Sequence, residues 1–215
     1  MSTVVVIGGT GYTGGNIVAE AAQRGHDVTS WSRNAPDAPI EGVTYETGSL
    51  QDDENRQRAV AGADIVILAL APRGELENEL AGIYARIAEL AAASGARLGV
   101  VGGFSGLRPA EGAPRFAEGD DLPPQFAHEA RVMTGVLETL LADAPDGLDW
   151  FFVSPAANYG SYAPGEKLGT YRTGGEVALF DANGESAVSG VDFATAIVDE
   201  IETPAHHGEQ FGVAY

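Results

Sequence analysis

The chain has no cysteine and one lysine, Lys167; its other 11 basic residues are arginines. The first absence excludes disulfides and thiol chemistry. The second removes a catalytic pairing considered below. No apolar run approaches the roughly 20 residues that a membrane-spanning helix needs. No basic region precedes the apolar run at the N-terminus, so no secretory leader is expected, and a cytoplasmic location fits. Positive charge is scarce: 12 basic residues face 31 acidic ones, for a net charge of -19. A phosphate backbone asks for a basic face, so nucleic acid is not an expected partner. The acid excess suits a salt-adapted, solvated surface. A GC-rich genome would also favour Arg, Ala and Gly over Lys, and both readings stay open. There is no metal cluster, no G-x-x-x-x-G-K loop and no nucleophile triad. His206-His207 lacks a companion ligand at metal spacing and reads as a solvated loop.

What is present begins at residue 4. Val4-Val5-Val6-Ile7 is a run of four β-branched residues, suited to a strand buried on both faces. Gly8-Gly9-Thr10-Gly11-Tyr12-Thr13-Gly14-Gly15 follows, and Gly9, Gly11 and Gly14 spell G-x-G-x-x-G. Ile17, Val18 and Ala21 then open an apolar stripe at helical spacing. Strand, glycine turn and helix in this order give the motif its confirming context. Glycine is needed there for a tight turn, for close approach of backbone to a pyrophosphate, and for helix–strand packing. The free N–H groups of the helix start then face the phosphates.

Further along, strands are expected at 27–31, 43–46, 63–70, 97–101 and 149–153, with a last one at 210–213. Helices are expected at 12–24, 52–60, 76–94 with Gly95 ending it, 125–142 and 191–201. Strand-like pieces near 168–173, 177–181 and 186–189 surround Asn183-Gly184, a hairpin-turn signal. Residues 109–124 form a Pro/Gly/acid-rich loop. With 215 residues and 44% hydrophobic content, a single domain with a sizeable core is expected. Alternating strands and helices imply an α/β fold of Rossmann type. Its doubly wound parallel sheet would carry a small C-terminal β-hairpin excursion at about 156–190.

At its glycine turn the chain resembles the short-chain dehydrogenase superfamily, in its atypical, NmrA-like branch. Gly25-His26-Asp27-Val28-Thr29 with Ser32-Arg33-Asn34, and residues 148–157, are similar to that branch. Residues 165–172 and 181–186 resemble its NADH-flavin reductase group; biliverdin reductase B is a more distant likeness. The resemblance implies a dinucleotide lying across the turn residues Gly8, Gly9, Thr10, Gly11, Tyr12, Thr13 and Gly14. It would continue past Ser32, Arg33, Ser49 and Leu50, then Leu70, Ala71 and Pro72, then Gly102 and Gly103, and end at Ser154, Pro155 and Ala156. Relatives often carry Gly-Asp after strand three; Gly48-Ser49 stands here, so no carboxylate contact is inherited. Strand two ends in Arg33 rather than in an acid for the ribose. An arginine there can pair with a 2′-phosphate, which favours NADP while leaving NAD open.

Many members use Tyr-x-x-x-Lys as the acid. No tyrosine here has a lysine four residues on, and Phe126 and His128 stand where the tyrosine is expected. Reducing a ketone requires a proton in place. A flavin takes hydride on its ring and a second proton from water, so a site without an acid still serves it. Ser105 is the candidate catalytic hydroxyl; a turn serine bonding its own backbone is the plainer alternative. His128 reads as a helix-surface histidine, and Tyr159, Tyr162 and Tyr171 as pocket walls or as packing. The expectation is an NADP(H)-dependent reductase of a small molecule, with a flavin or similar flat ring as acceptor. The alternatives are a non-catalytic NADP(H) sensor of NmrA type and a sugar-nucleotide epimerase. Oligomeric state is not legible.

Overall fold

Alternation along β1 (Thr3–Ile7) divides the molecule into two cores. Val4 and Val6 face one apolar cluster, Val5 and Ile7 the other. Successive side chains of a strand point to opposite faces, so a strand apolar at every position must be covered on both. On one face lie α1 (Tyr12–Gln23) and α5 (Gly190–Glu202), through Ile17, Val18, Phe193 and Ile197. On the other lie α2 (Asp53–Val60), α3 (Leu80–Ser94) and α4 (Pro124–Asp143), through Val60, Ile83, Ile87 and Leu137. Each such side chain, fully buried, contributes about 1.5–3 kcal/mol relative to exposure. The computed structural model describes residues 1–119 and 122–215.

The remaining strands are β2 (Asp27–Ser32), β3 (Thr44–Thr47), β4 (Ile65–Leu68), β5 (Arg97–Val101), β6 (Trp150–Ser154), β7 (Arg172–Gly174) and β8 (Glu209–Ala214). They form one sheet in the order β3-β2-β1-β4-β5-β6-β8-β7. All neighbours are parallel except β7 and β8, which are antiparallel. The first six strands follow the doubly wound Rossmann order. Its direction reverses between β1 and β4, and a crevice opens there at the strands' carboxyl ends.

Three expectations need correction. The strand expected over 63–70 runs only from Ile65 to Leu68. The Tyr84 hydroxyl accepts from the Leu70 N–H at 3.0 Å and donates to the Leu70 carbonyl at 3.1 Å, so Leu70 leaves the ladder. The helix expected from residue 76 starts at Leu80; Leu76 belongs to a separate turn, Gly74–Leu76. In the excursion, the pieces at 177–181 and 186–189 make only isolated bridges, Val177 with Arg108 and Ala187 with Asn158. The Asn183-Gly184 turn is real, yet it is closed by Asp181, whose carboxylate accepts from the Asn183 and Glu185 N–H groups. The antiparallel pair at the C-terminal end is β7 with β8. Within residues 109–124 the chain makes one short turn, Phe116–Glu118; Asp120 and Asp121 lie outside the described residues.

His206 is also more than a solvated loop. Its ring stacks on Phe211 with centroids 4.0 Å apart, and its Nδ1 meets Glu200 at 2.7 Å. Glu200 in turn receives Arg97 at 2.6 Å, which ties α5 to the start of β5. This cluster lies at the sheet edge opposite the crevice.

Candidate functional site

The glycine turn is held tight by backbone. Gly8 has φ +90°, and a Cβ on it would sit 2.5 Å from the Ala69 carbonyl oxygen. A Cβ on Gly14 would sit 2.2 Å from the Gly8 carbonyl oxygen, so α1 can approach the turn only with glycine there. A Cβ on Gly9 would meet the Ser30 hydroxyl at 2.3 Å. Above them α1 starts without a side-chain cap and with no acid in its first turn. The starts of α2 and α5 differ: Asp52 and Ser189 cap them. The first N–H groups of a helix have no partner within it; α3 and α4 also start without a side-chain cap, but α1 starts directly from the glycine turn.

From this turn a cleft of about 1050 Å³ runs along the carboxyl ends of the strands. Gly8, Thr10, Gly11, Tyr12 and Thr13 form its floor. Ser32, Arg33, Ser49 and Leu50 line one end. The Ser32 hydroxyl accepts from the Thr10 N–H at 3.1 Å, which fixes the end of β2 against the turn. Arg33 is 62% exposed in its side chain and pairs with Glu75 at 2.9 Å. Leu70, Ala71, Gly102 and Gly103 line the middle, and Ser105, Pro155 and Ala156 the far end. Four expected residues do not line the cleft. Gly9 and Gly14 are taken up by packing, Pro72 is buried, and the fully buried Ser154 side chain accepts from Gln210 at 2.9 Å instead.

The far end is aromatic. Phe104 and Phe116 stack with centroids 4.8 Å apart, and Phe126, Tyr159 and Tyr162 complete the chamber. The turn Phe104–Gly106 rests on buried polar groups. Gln210 donates to the Gly106 carbonyl at 3.2 Å, and Arg115 donates to the same oxygen and to Gln210. Burial pushes the Arg115 guanidinium below its ordinary value, partly opposed by the Glu176 carboxylate. Burial raises the Tyr159 phenol well above its ordinary value, although its hydroxyl pairs with Thr13 at 2.7 Å. Such a phenol is a poor proton donor near neutrality. His128 stands outside the chamber with its Nε2 against the Glu77 carbonyl at 3.0 Å. Lys167 is exposed in the excursion, and Tyr171 is bound to Asp199, away from the cleft.

Sequence reasoning missed Glu75, Arg115, Thr134 and the Phe104–Phe116 stack. Nothing local marks them. Glu75 lies 42 residues from the arginine it meets, and Arg115 sits in a loop whose composition reads as exposed.

A family model described as NAD(P)H-binding matches residues 8–204. An uncharacterised Bacillus subtilis protein, YwnB, is 33% identical over 213 residues, covering 97% of this chain and 96% of that protein. A Streptococcus pneumoniae protein described as a candidate NADH-flavin reductase has a crystal structure similar to this one, with a TM-score of 0.87 at 29% identity. The match covers 100% of this chain and 99% of that one. A candidate epimerase from Bacteroides thetaiotaomicron has a TM-score of 0.87 at 29% identity, covering 100% and 97%. Among the described residues no helix is long and apolar enough to cross a membrane, and no cluster of metal ligands occurs.

Proposed function

The chain belongs to the NAD(P)H-binding family, and from that premise we propose an NADP(H)-dependent reductase that passes hydride to a flavin or a similar flat conjugated acceptor. One observation carries this reading: a single cleft joins an uncapped helix start to an aromatic chamber. The residues fit a dinucleotide. The N–H groups of α1 would take its pyrophosphate, Arg33 its 2′-phosphate, and the close-packed glycines would let it approach the backbone. When bound, the nicotinamide group supplies the hydride. The chain's own part is alignment and shielding. Gly102 and Gly103 leave a flat surface for a ring, with Phe152 packed beneath Gly102. Phe104, Phe116 and Tyr162 would sandwich the acceptor and exclude water. Ser105, half-buried at the chamber's edge, would hydrogen-bond a ring substituent. The description of the Streptococcus relative supports a flavin as acceptor.

Stopped-flow mixing with NADPH and a panel of flavins, quinones and aldehydes tests the proposal. Oxidation of NADPH with a flavin is expected, and Ser105→Ala should slow it roughly tenfold, the effect of losing one hydrogen bond. Tight NADPH binding without turnover of any acceptor would favour the second reading, a redox sensor. The buried Tyr159 supports that alternative, because burial makes its phenol a poor proton donor. The same property weakens an epimerase reading, which draws on the Bacteroides relative.

A further inference from the structure

Two arginines line the cleft, Arg33 and Arg73, and each faces a glutamate of the same cleft, Glu75 and Glu129. Among the described residues that line it, these four carry the charge. The two pairs are built differently. Arg33 gives Glu75 one donor, Nη1, at 2.9 Å, so a ligand has one bond to break there. Arg73 turns Nε and Nη2 together on a single oxygen of Glu129, at 2.9 and 2.7 Å. That side-on edge is the one with which an arginine clasps a phosphate or carboxylate. An anion reaching Arg73 must displace Glu129 and then lie beside a carboxylate that has lost its cation.

The Arg73–Glu129 pair stands at the ring end, because Glu129 lies on α4 one turn beyond Phe126. The surface there is aromatic and open. Phe126 is 48% exposed and Tyr162 75%, and both line the cleft. The Tyr162 ring is seated on Gly160, where a Cβ would come within 2.7 Å of it, so backbone sets its position. Aromatic surface left open on two elements of one chamber suits a flat apolar ligand. The wider field points the same way. A net charge of -19 disfavours the approach of anions, and bound NADPH brings more negative charge into the cleft. At the nucleotide end Arg33 and the start of α1 offset that charge; at the ring end the arginine is already clasped.

We propose that the acceptor is an uncharged flat ring, an unphosphorylated flavin or a quinone, and that Glu129, by occupying Arg73, sets the chamber against flavins that carry a phosphate. The assignment rests on the reductase reading above and narrows its acceptor. The transfer balances: the ring gains a hydride from the cofactor and a proton from water and leaves as dihydroflavin or hydroquinone, and the cofactor leaves oxidised.

Two measurements test it. Quenching of flavin fluorescence by the protein saturated with NADP+ gives the affinities of riboflavin and FMN without turnover. Steady-state kinetics at saturating NADPH give kcat and KM for riboflavin, FMN and menadione. Riboflavin should bind and turn over about tenfold better than FMN near 0.1 M KCl, and the gap should shrink toward 1 M as the repulsion is screened. Glu129→Gln should narrow the riboflavin-to-FMN ratio by roughly 1.4- to fivefold, through a gain in FMN. Tyr162→Ala should raise KM for riboflavin by roughly two- to twelvefold, and Tyr162→Phe should restore it. Turnover of menadione in preference to riboflavin would support the proposal and assign the quinone. FMN binding as well as riboflavin in the wild type would overturn it, as would a ratio indifferent to both salt and Glu129→Gln. Absence of turnover with every acceptor would end the reductase reading alone, because the quenching titration still decides between charged and uncharged rings. No quenching of riboflavin together with no turnover of menadione would end both.

Discussion

Arg33 and Glu75 face each other at 2.9 Å across one end of the cleft, and a 2′-phosphate arriving there must displace the carboxylate. Both side chains are well exposed, so the pair itself is weak, on the order of 0.2–1 kcal/mol. A phosphate held by the guanidinium gains more, about 1.5–3 kcal/mol for a charged hydrogen bond. Arg33→Ala should therefore weaken NADPH by that amount and leave NADH nearly unchanged. Glu75→Gln should act in the opposite direction, tightening NADPH by roughly 1.4- to fivefold. Fluorescence titration with both dinucleotides reads each effect. Equal affinity for NADPH and NADH in the wild type would remove Arg33 from the site. Arg33 was visible in the sequence because the end of the second strand is a fixed place in this architecture. Its partner was not, because a carboxylate on a turn after another strand leaves no local pattern.

The turn between β1 and α1 is the element most sensitive to added volume. Gly14→Ala places a methyl group 2.2 Å from the Gly8 carbonyl oxygen, which must push α1 off the strand. Overpacking of this kind costs about 1–3 kcal/mol. Urea unfolding should show that loss, together with weaker binding of 2′-phospho-ADP-ribose; a variant as stable as the wild type would contradict the close approach. The start of α5 is a second sensitive element. Asp192 is fully buried and accepts from Tyr215 at 2.6 Å, from the Leu168 and Gly169 N–H groups at 2.7 and 3.0 Å, and from the Ser189 hydroxyl at 3.0 Å. Burial pushes its carboxyl upward, but these four donors outweigh burial and hold it below the ordinary aspartate value of 3.8. A depressed value means that the stabilisation is complete above about pH 4 and is lost as the pH falls through the folded-state value. Asp192→Asn should be less stable than the wild type by about 2–3 kcal/mol at neutral pH. The gap should close in acid. A gap independent of pH from 7 down to 2 would show that the charge contributes nothing. These contacts also explain which elements were legible. β1, β5, α1 and α4 were readable to within about two residues, because their apolar spacing matches their period. The excursion was not, because apart from the short β7 its backbone bonds to side chains such as Asp192 and Asp181 and makes scattered single bridges. That arrangement leaves no alternation to read.

Across the whole molecule a net charge of -19 repels itself. Added salt shortens the range of that repulsion from roughly 10 Å at 0.1 M to about 3 Å at 1 M. The thermal midpoint should therefore rise between those concentrations of KCl, as a salt-adapted surface requires. A flat or falling midpoint would leave codon usage as the sufficient reason for the missing lysines. The order of the strands has a further consequence, one of time. β1, α1, β2 and β4 all lie within the first 68 residues, so the glycine turn can form on its helix early in synthesis. The turn Phe104–Gly106 depends on Gln210 of β8, and β7 has no neighbour in the sheet except β8. Ribosomes add roughly 5–20 residues per second. The gap between these two ends of one cleft is therefore on the order of ten seconds or more, and a nascent chain can close the glycine-turn end while its aromatic wall is still unwritten.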